Sequence, residues 1–155
     1  MIHKSTDNVR QIALFPGTFD PFTKGHLSIL ERFLPIFGKV IVAVGYNLSK
    51  PSAEESAYAR VEEIKRATSH LENVEVISYN GLTTSIAKEK GARYIIKGVR
   101  DVADYEYERR MADINREISG IETIIMFSLP EFSSISSSIV RELRHYGEDV
   151  KKFLP

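Results

Sequence analysis

The chain has 155 residues, a length that suits one domain with a sizeable core. Its 21 basic and 21 acidic residues cancel to a formal net charge of +0. This balance argues against non-specific electrostatic binding to nucleic acid or to an anionic membrane. The absence of cysteine excludes disulfides and thiol nucleophiles and is compatible with a reducing cytosol. No signal peptide or membrane span is apparent, so we expect a cytoplasmic protein without nucleic-acid or membrane partners.

Short apolar runs alternate with helical patterns along the chain. Residues 1–10 are polar, and we expect a flexible N-terminal extension ahead of one domain at residues 11–155. The patterns predict strands at residues 12–15, 39–46, 74–79, 94–97 and 123–127. They predict helices at residues 27–37, from a cap at Ser52 or Ser56 to Ala67, at 82–90, from a cap at Asp104 to Ile118, and from the serines at 136–138 onward. This alternation predicts an α/β fold, a Rossmann-like doubly wound five-stranded parallel sheet.

The stretch between the first strand and the first helix, residues 15–26, has the features of a phosphate site. Gly17 lets the backbone approach a ligand closely. The predicted helix opens near Gly25 and His26, where unpaired N–H groups and the positive end of the helix dipole attract anions. Thr18 adds a hydroxyl group and His26 a ring nitrogen. The sequence therefore predicts an anion site at this turn.

The other predicted strands end in residues that also suit a phosphate ligand. Lys50, Arg100 and the serines at 136–138 each follow an apolar strand. Ligands of doubly wound sheets bind outside the carboxyl ends of the strands, so one crevice would collect these side chains. From the residues alone, both cations are equally compatible with a solvated surface, and the serines with plain helix capping. No HExxH, EF-hand, P-loop or GxGxxG motif is present, so a divalent ion would be held by substrate phosphates.

Two motifs carry a resemblance to a known superfamily. The segment TFDPFTKGH at residues 18–26 resembles the TxGH form of the HxGH signature of nucleotidyltransferases, and ISSS at residues 135–138 resembles their second nucleotide motif. The more particular resemblance is to the bacterial phosphopantetheine adenylyltransferase family, over about residues 11–155. It rests further on segments at residues 16–21, 49–50, 98–100, 102–108 and 115–116.

The resemblance implies a reaction and its partners. The family transfers the adenylyl group of ATP to 4′-phosphopantetheine, giving dephospho-coenzyme A and pyrophosphate. It implies the nucleotidyltransferase fold, Mg²⁺ held by phosphates rather than by protein side chains, a homohexamer, and coenzyme A as a feedback ligand. Thr18 and His26 would stabilise charge at the α-phosphate, Lys50 would orient the attacking phosphate, and Arg100 would meet the ATP phosphates.

The resemblance also implies two sets of binding residues. The ATP-binding set is Gly17, Thr18, Phe19, His26, Lys97, Gly98, Arg100, Glu108, Phe132, Ser133, Ser134, Ile135, Ser136, Ser137 and Ser138. The set for the second substrate is Thr18, Lys50, Leu82, Thr83, Lys97, Met111, Ile114 and Asn115. Two positions depart from the family pattern: Lys97 stands where many relatives have arginine, and Phe132 where a tryptophan is common.

Two alternative functions remain open from the sequence. The first is a sibling nucleotidyltransferase that acts on nicotinamide mononucleotide or on a small phosphorylated alcohol. The second is a catalytically idle sensor that binds a nucleotide or coenzyme A. An intact set of Thr18, His26, Lys50 and Arg100 speaks against the sensor, because a binding module has no need of a group that stabilises a transition state.

Overall fold

The structure is a computed structural model, and residues 11–155 of it are described. The expected flexible extension, residues 1–10, lies outside the described residues. The strands are β1 Ile12–Gly17, β2 Lys39–Gly45, β3 Val74–Tyr79, β4 Tyr94–Val99 and β5 Glu122–Phe127. The helices are α1 Lys24–Phe33, α2 Ala53–Ala67, α3 Thr83–Glu89, α4 Val102–Ser119 and α5 Ser137–His145, with 3-10 turns at Pro130–Phe132 and Lys151–Phe153.

The strands form one parallel sheet in the order β3-β2-β1-β4-β5. The chain winds outward from β1 to β3 and then crosses back to β4 on the other side. The point where the winding reverses, between β1 and β4, is where doubly wound sheets bind their ligands. The predicted α/β fold with a five-stranded parallel sheet is therefore confirmed.

Strand β2 shows how the sheet is buried on both faces. Its five central residues are all buried, which is typical of a parallel strand covered by helices on both sides. Val40, Val42 and Val44 belong to the core cluster that contains the apolar sides of α1 and α2, whereas Ile41 and Ala43 belong to a second cluster with α3. The alternation follows from the period of two along a strand.

Helix α1 begins and ends earlier than predicted. It runs from Lys24 to Phe33 rather than over residues 27–37. The start is set by Thr23, whose side chain and backbone form a capping box with His26. Leu34 still has helical dihedral angles, but Pro35 after it has no backbone N–H with which to continue the helix. The early start brings His26 into the first turn.

The cap of α4 was predicted at Asp104, and the structure corrects this to Asp101. The Asp101 side chain accepts a hydrogen bond from the backbone N–H of Asp104 at 2.8 Å. Asp104 lies in the first turn instead, where its carboxylate binds Arg100. For α2, Ser52 occupies the N-cap position, but its hydroxyl makes no capping hydrogen bond, and Ser56 lies inside the helix.

Helix α4 carries a row of exposed apolar side chains. The predicted period places Tyr107, Met111, Ile114 and Ile118 along the helix, and they are 62%, 37%, 51% and 54% exposed. None of the residues of α4 is buried. Within the part of the chain that the structure describes, no helix is long and apolar enough to cross a membrane.

Candidate active site

Two adjoining cavities lie at the carboxyl ends of the strands. The β2-side cavity, about 600 Å³, is lined by the turns after β1, β2 and β3 and by one side of α4. The α5-side cavity, about 330 Å³, is lined by the turn after β1 and the starts of α1 and α5. The two share a wall made of Pro16, Gly17, Thr18, Asp20, Lys97 and Glu108. A ligand in one cavity therefore meets a ligand in the other at the Thr18 turn.

Most of the predicted site residues line these cavities. Those in the α5-side cavity are Gly17, Thr18, Phe19, His26, Lys97, Gly98, Arg100, Glu108, Phe132, Ile135, Ser136, Ser137 and Ser138. Those in the β2-side cavity include Lys50, Thr83, Met111 and Asn115. Leu82, Ile114, Ser133 and Ser134 line neither; Leu82 and Ile114 are 64% and 51% exposed, and the Ser133 hydroxyl donates to the Pro130 carbonyl. Their roles stay predictions.

Gly17 lines both cavities and also makes room for an aromatic ring. A Cβ atom at Gly17 would lie 2.9 Å from Cζ of Phe19. Phe19 has a positive φ of 49° and is buried, with its ring 5.2 Å from Phe15, 5.5 Å from Phe22 and 5.1 Å from His26 between centroids. The left-handed backbone costs about 1–3 kcal/mol in a non-glycine residue, and this packing stabilises it.

The ring of His26 is fixed by the capping box. The backbone N–H of Thr23 donates to Nδ1 of His26 at 2.9 Å, so a neutral ring carries its proton on Nε2. Burial, followed by the charges of Lys97 and Arg100, lowers the pKa of His26 from 6.5 to about 4. The ring is therefore neutral at pH 7. It lines the α5-side cavity, with its Nε2–H free of the capping box.

Two cations of the α5-side cavity are held by carboxylates. Lys97 Nζ lies 3.0 Å from Glu108 Oε1, and both groups belong to the shared wall. Arg100 makes a bidentate pair with Asp104 at 2.8 and 3.0 Å. The Arg100 guanidinium holds the pKa of the Asp104 carboxyl below its usual range. These pairs keep both cations beside His26 without a ligand.

The cation of the β2-side cavity is held more loosely. Lys50 is exposed and closes a turn in which its backbone N–H donates to the Asn47 carbonyl at 3.1 Å. Among the described residues its ammonium makes no ion pair. On the opposite wall, the hydroxyls of Tyr79 and Thr83 are 2.8 Å apart. This cavity thus offers one free ammonium and several hydroxyl groups.

The serine segment both caps α5 and attaches it to the rest of the site. The Ser136 hydroxyl accepts from the N–H of Ile139 at 3.1 Å, as the predicted cap requires. Ser137 donates to the Pro21 carbonyl at 2.8 Å. The start of α5 is thereby fixed against the turn after β1, and its N–H groups border the α5-side cavity.

Three residues of the site were missed in the sequence. Thr23 caps α1, and a threonine three positions before His26 was a usable signal. Arg141, one turn into α5, donates to the Asp20 carbonyl at 2.6 Å and lines the α5-side cavity, and the apolar pattern of α5 gave no reason to single it out. Arg60 of α2 donates to the Thr18 carbonyl across 42 residues of sequence, a contact that no local pattern signals.

The described residues contain no group of three or more His, Asp or Glu side chains that could hold a metal ion. The cavities are lined instead by cations, hydroxyls and a neutral imidazole. Such a donor set suits anionic ligands and does not form a metal cage.

Comparison with known proteins defines the class first. Residues 14–143 match the family model described as cytidylyltransferase-like. A solved structure of a bifunctional NMN adenylyltransferase/ADP ribose pyrophosphatase from Francisella tularensis has a similar fold, with a TM-score of 0.65 and 20% identity over 94% of this chain and 45% of that one. The family match over residues 14–143 and the similar fold place the chain in the cytidylyltransferase-like class.

Curated relatives narrow the assignment. A phosphopantetheine adenylyltransferase from Phocaeicola vulgatus is 47% identical over 143 residues, which are 92% of this chain and 94% of that protein. One from Porphyromonas gingivalis is 46% identical over 146 residues, 94% of this chain and 95% of that protein. The chain belongs to the phosphopantetheine adenylyltransferase family, as the motifs at residues 18–26 and 135–138 predicted.

Proposed function

We propose that the protein transfers the adenylyl group of ATP to 4′-phosphopantetheine, giving dephospho-coenzyme A and pyrophosphate. The observation that carries this proposal is the pair of cavities joined at the Thr18 turn. A direct transfer between two phosphates requires both reactants to meet at one point, with cations on both sides. Membership of the phosphopantetheine adenylyltransferase family supports the choice of acceptor.

The α5-side cavity would hold ATP. Its neutral His26, its paired Lys97 and Arg100, and the capped start of α5 form a set of donors and cations around one space. Phosphates bind well to unpaired N–H groups at a helix start and to arginine. Phe19, Gly98, Glu108 and Phe132 would complete the nucleotide side, as the resemblance implies.

The β2-side cavity would hold 4′-phosphopantetheine. Lys50 is the free cation for its phosphate, and Thr18 lies on the wall that this cavity shares with the ATP side. Thr83, Met111 and Asn115 line the remainder of the cavity and would contact the pantetheine chain.

The reaction would be a direct in-line displacement. A phosphate oxygen of the acceptor attacks the α-phosphorus of ATP, a new P–O bond forms, and the bond to the β-phosphate breaks, so pyrophosphate leaves with the bonding electrons. The nucleophile is already an anion, so no base or covalent intermediate is needed. Holding both reactants in line contributes about 7–11 kcal/mol. One preorganised donor such as Nε2–H of His26 contributes roughly 3–4 kcal/mol.

Mg²⁺ would be bound by phosphate oxygens of ATP, because the described side chains do not form a metal cage. When bound, the ion offsets phosphate charge. Coenzyme A contains both an adenylyl and a pantetheine part, so it would span both cavities and compete with substrates as a feedback ligand. A cytoplasmic location stays a prediction.

We also propose self-assembly, as a homohexamer. The exposed apolar row of α4 is the support, because exposed apolar stretches of this kind mark interaction surfaces. Ile118→Glu should yield a species of smaller mass than the parent in light scattering after size-exclusion chromatography, while Ile118→Leu should keep the parent mass. A parent that runs as a monomer would contradict assembly.

The test of the activity measures pyrophosphate release from ATP and Mg²⁺ with one acceptor at a time: 4′-phosphopantetheine, nicotinamide mononucleotide or glycerol phosphate. Release with 4′-phosphopantetheine is expected. Release with one of the other two alone would assign a sibling activity. ATP or coenzyme A binding without release from any acceptor would assign a sensor.

A further inference from the structure

Arg60 of α2 is a buried cation that the proposed reaction does not use. It is 9% exposed, which is uncommon for arginine. Buried arginines are usually paired with a carboxylate, but Arg60 has no such partner among the described residues. Its contacts are instead to two backbone carbonyls.

These contacts join α2 to the turn after β1. Nε of Arg60 donates to the Ser56 carbonyl at 3.2 Å, one turn earlier in the same helix. Nη1 donates to the Thr18 carbonyl. Because the guanidinium is a planar fork, the Ser56 contact fixes the direction in which Nη1 points. Arg60, Ser56 and Thr18 all line the β2-side cavity.

The turn that Arg60 holds is a strained one. Phe19, which follows Thr18, has a φ of 49°, and a residue other than glycine adopts this backbone conformation at a cost in free energy. On one side the Phe19 ring is packed among Phe15, Phe22 and His26. On the other side the Thr18 carbonyl is bound by Arg60. The peptide between Thr18 and Phe19 is thus fixed at both ends.

We propose that Arg60 is a positioning residue for the acceptor side of the reaction: it sets the peptide plane of Thr18 and so the place where the attacking phosphate is held. This role rests on the proposed function. Of the residues assigned to ATP, Arg60 binds only Thr18, whereas His26, Lys97 and Arg100 are held by other contacts. Its loss should therefore affect the transfer step and the acceptor more than ATP binding. Lysine at position 60 would keep the charge but lose the fork.

The test compares Arg60→Gln and Arg60→Lys with Arg66→Gln, an exposed arginine on the same helix. With 4′-phosphopantetheine, Arg60→Gln should lower kcat about 10–100-fold, since small misplacements of reactants have effects of this size. Its KM for 4′-phosphopantetheine should rise, and its Kd for ATP should stay within about twofold of the parent. Arg60→Lys should restore only part of kcat, and Arg66→Gln should match the parent.

A second readout needs no substrate. The backbone amide resonance of Phe19 in a proton–nitrogen correlation spectrum should shift or broaden in Arg60→Gln and stay in place in Arg66→Gln. Parent kinetics in Arg60→Gln, or equal losses for ATP and acceptor, would overturn the proposal, as would an unmoved Phe19 resonance. A parent protein that releases no pyrophosphate with 4′-phosphopantetheine would refute the proposed function instead, and the Phe19 resonance would still show whether Arg60 sets the Thr18–Phe19 peptide.

Discussion

The two cavities hold their polar groups in different ways. In the α5-side cavity, His26 is fixed by Thr23, Arg100 by Asp104 and Lys97 by Glu108. In the β2-side cavity, Lys50 stands on an exposed turn with no ion pair among the described residues. The polar groups of the α5-side cavity are therefore fixed before a ligand binds. In the β2-side cavity, a bound phosphate would have to fix the ammonium of Lys50.

This difference predicts where binding energy acts. Groups fixed in advance lose little freedom when charge develops, so they favour the transition state over the bound substrate. A flexible exposed lysine loses side-chain freedom on binding and is screened by solvent, so its contribution is smaller and falls mainly on substrate binding. Substitution of the fixed groups should therefore act mainly on kcat, and substitution of Lys50 mainly on KM.

The largest effect is expected for His26→Ala. Loss of the fixed Nε2–H donor should lower kcat by about 10²–10³-fold, the usual result of removing one preorganised donor. The measurement is steady-state pyrophosphate release with 4′-phosphopantetheine. His70→Ala is the matched control, because His70 is exposed and its ring binds Glu31 away from both cavities. Turnover of His26→Ala at the parent rate would remove His26 from the proposed reaction.

The sequence predicted the parts of the site that depend on residues close together in the chain. The strand–turn–helix at residues 15–26 and the cations after the strands follow from short patterns, and the sheet brings most of them to one cleft. The alternation of apolar runs with helical patterns and the family motifs predicted the fold that the structure has. These signals come from residues that are close in sequence or that repeat regularly.

The remainder depends on contacts between distant segments. The ring of Phe19 fills the space where a side chain at residue 17 would lie, a result of backbone geometry that composition does not reveal. At the start of α4, Asp101 caps the helix while the Asp104 carboxylate binds Arg100 instead, and the sequence does not show which aspartate takes which partner. The contact from Arg60 to Thr18 exists only once α2 is packed on the sheet.

A second prediction concerns the stability of the ligand-free protein at low pH. The pKa of His26 is about 4 in the folded state, against the ordinary histidine value of 6.5 that applies to the unfolded chain. As the pH falls below 6.5, the unfolded chain takes up a proton that the folded protein resists, so folding becomes less favourable. Between about pH 7.5 and 4.5 this linkage should remove about 2 kcal/mol from the free energy of unfolding.

The measurement is denaturant unfolding at a series of pH values and one fixed protein concentration. His26→Gln has no ionisable ring, so its free energy of unfolding should fall by about 2 kcal/mol less than that of the parent over the same range. Other groups, such as Asp104, titrate in both proteins and cancel in the comparison. Parallel pH profiles for parent and variant would mean that the His26 ring is not held neutral by its surroundings.

The smallest effect is expected for Lys50→Gln. Removal of this cation should raise KM for 4′-phosphopantetheine, and the rise should be only roughly tenfold because solvent screens the interaction of an exposed charge. Kd for ATP should stay unchanged. The effect should shrink at higher salt, as it does for exposed charges. Lys88→Gln on α3, also exposed, is the control with parent kinetics. A loss in kcat as large as that of His26→Ala, with KM unchanged, would show that Lys50 is fixed in the transition state. The contrast between the two cavities would then apply only to the ligand-free protein. The acceptor phosphate would fix Lys50 on the β2 side, as Thr23, Asp104 and Glu108 fix their partners on the α5 side.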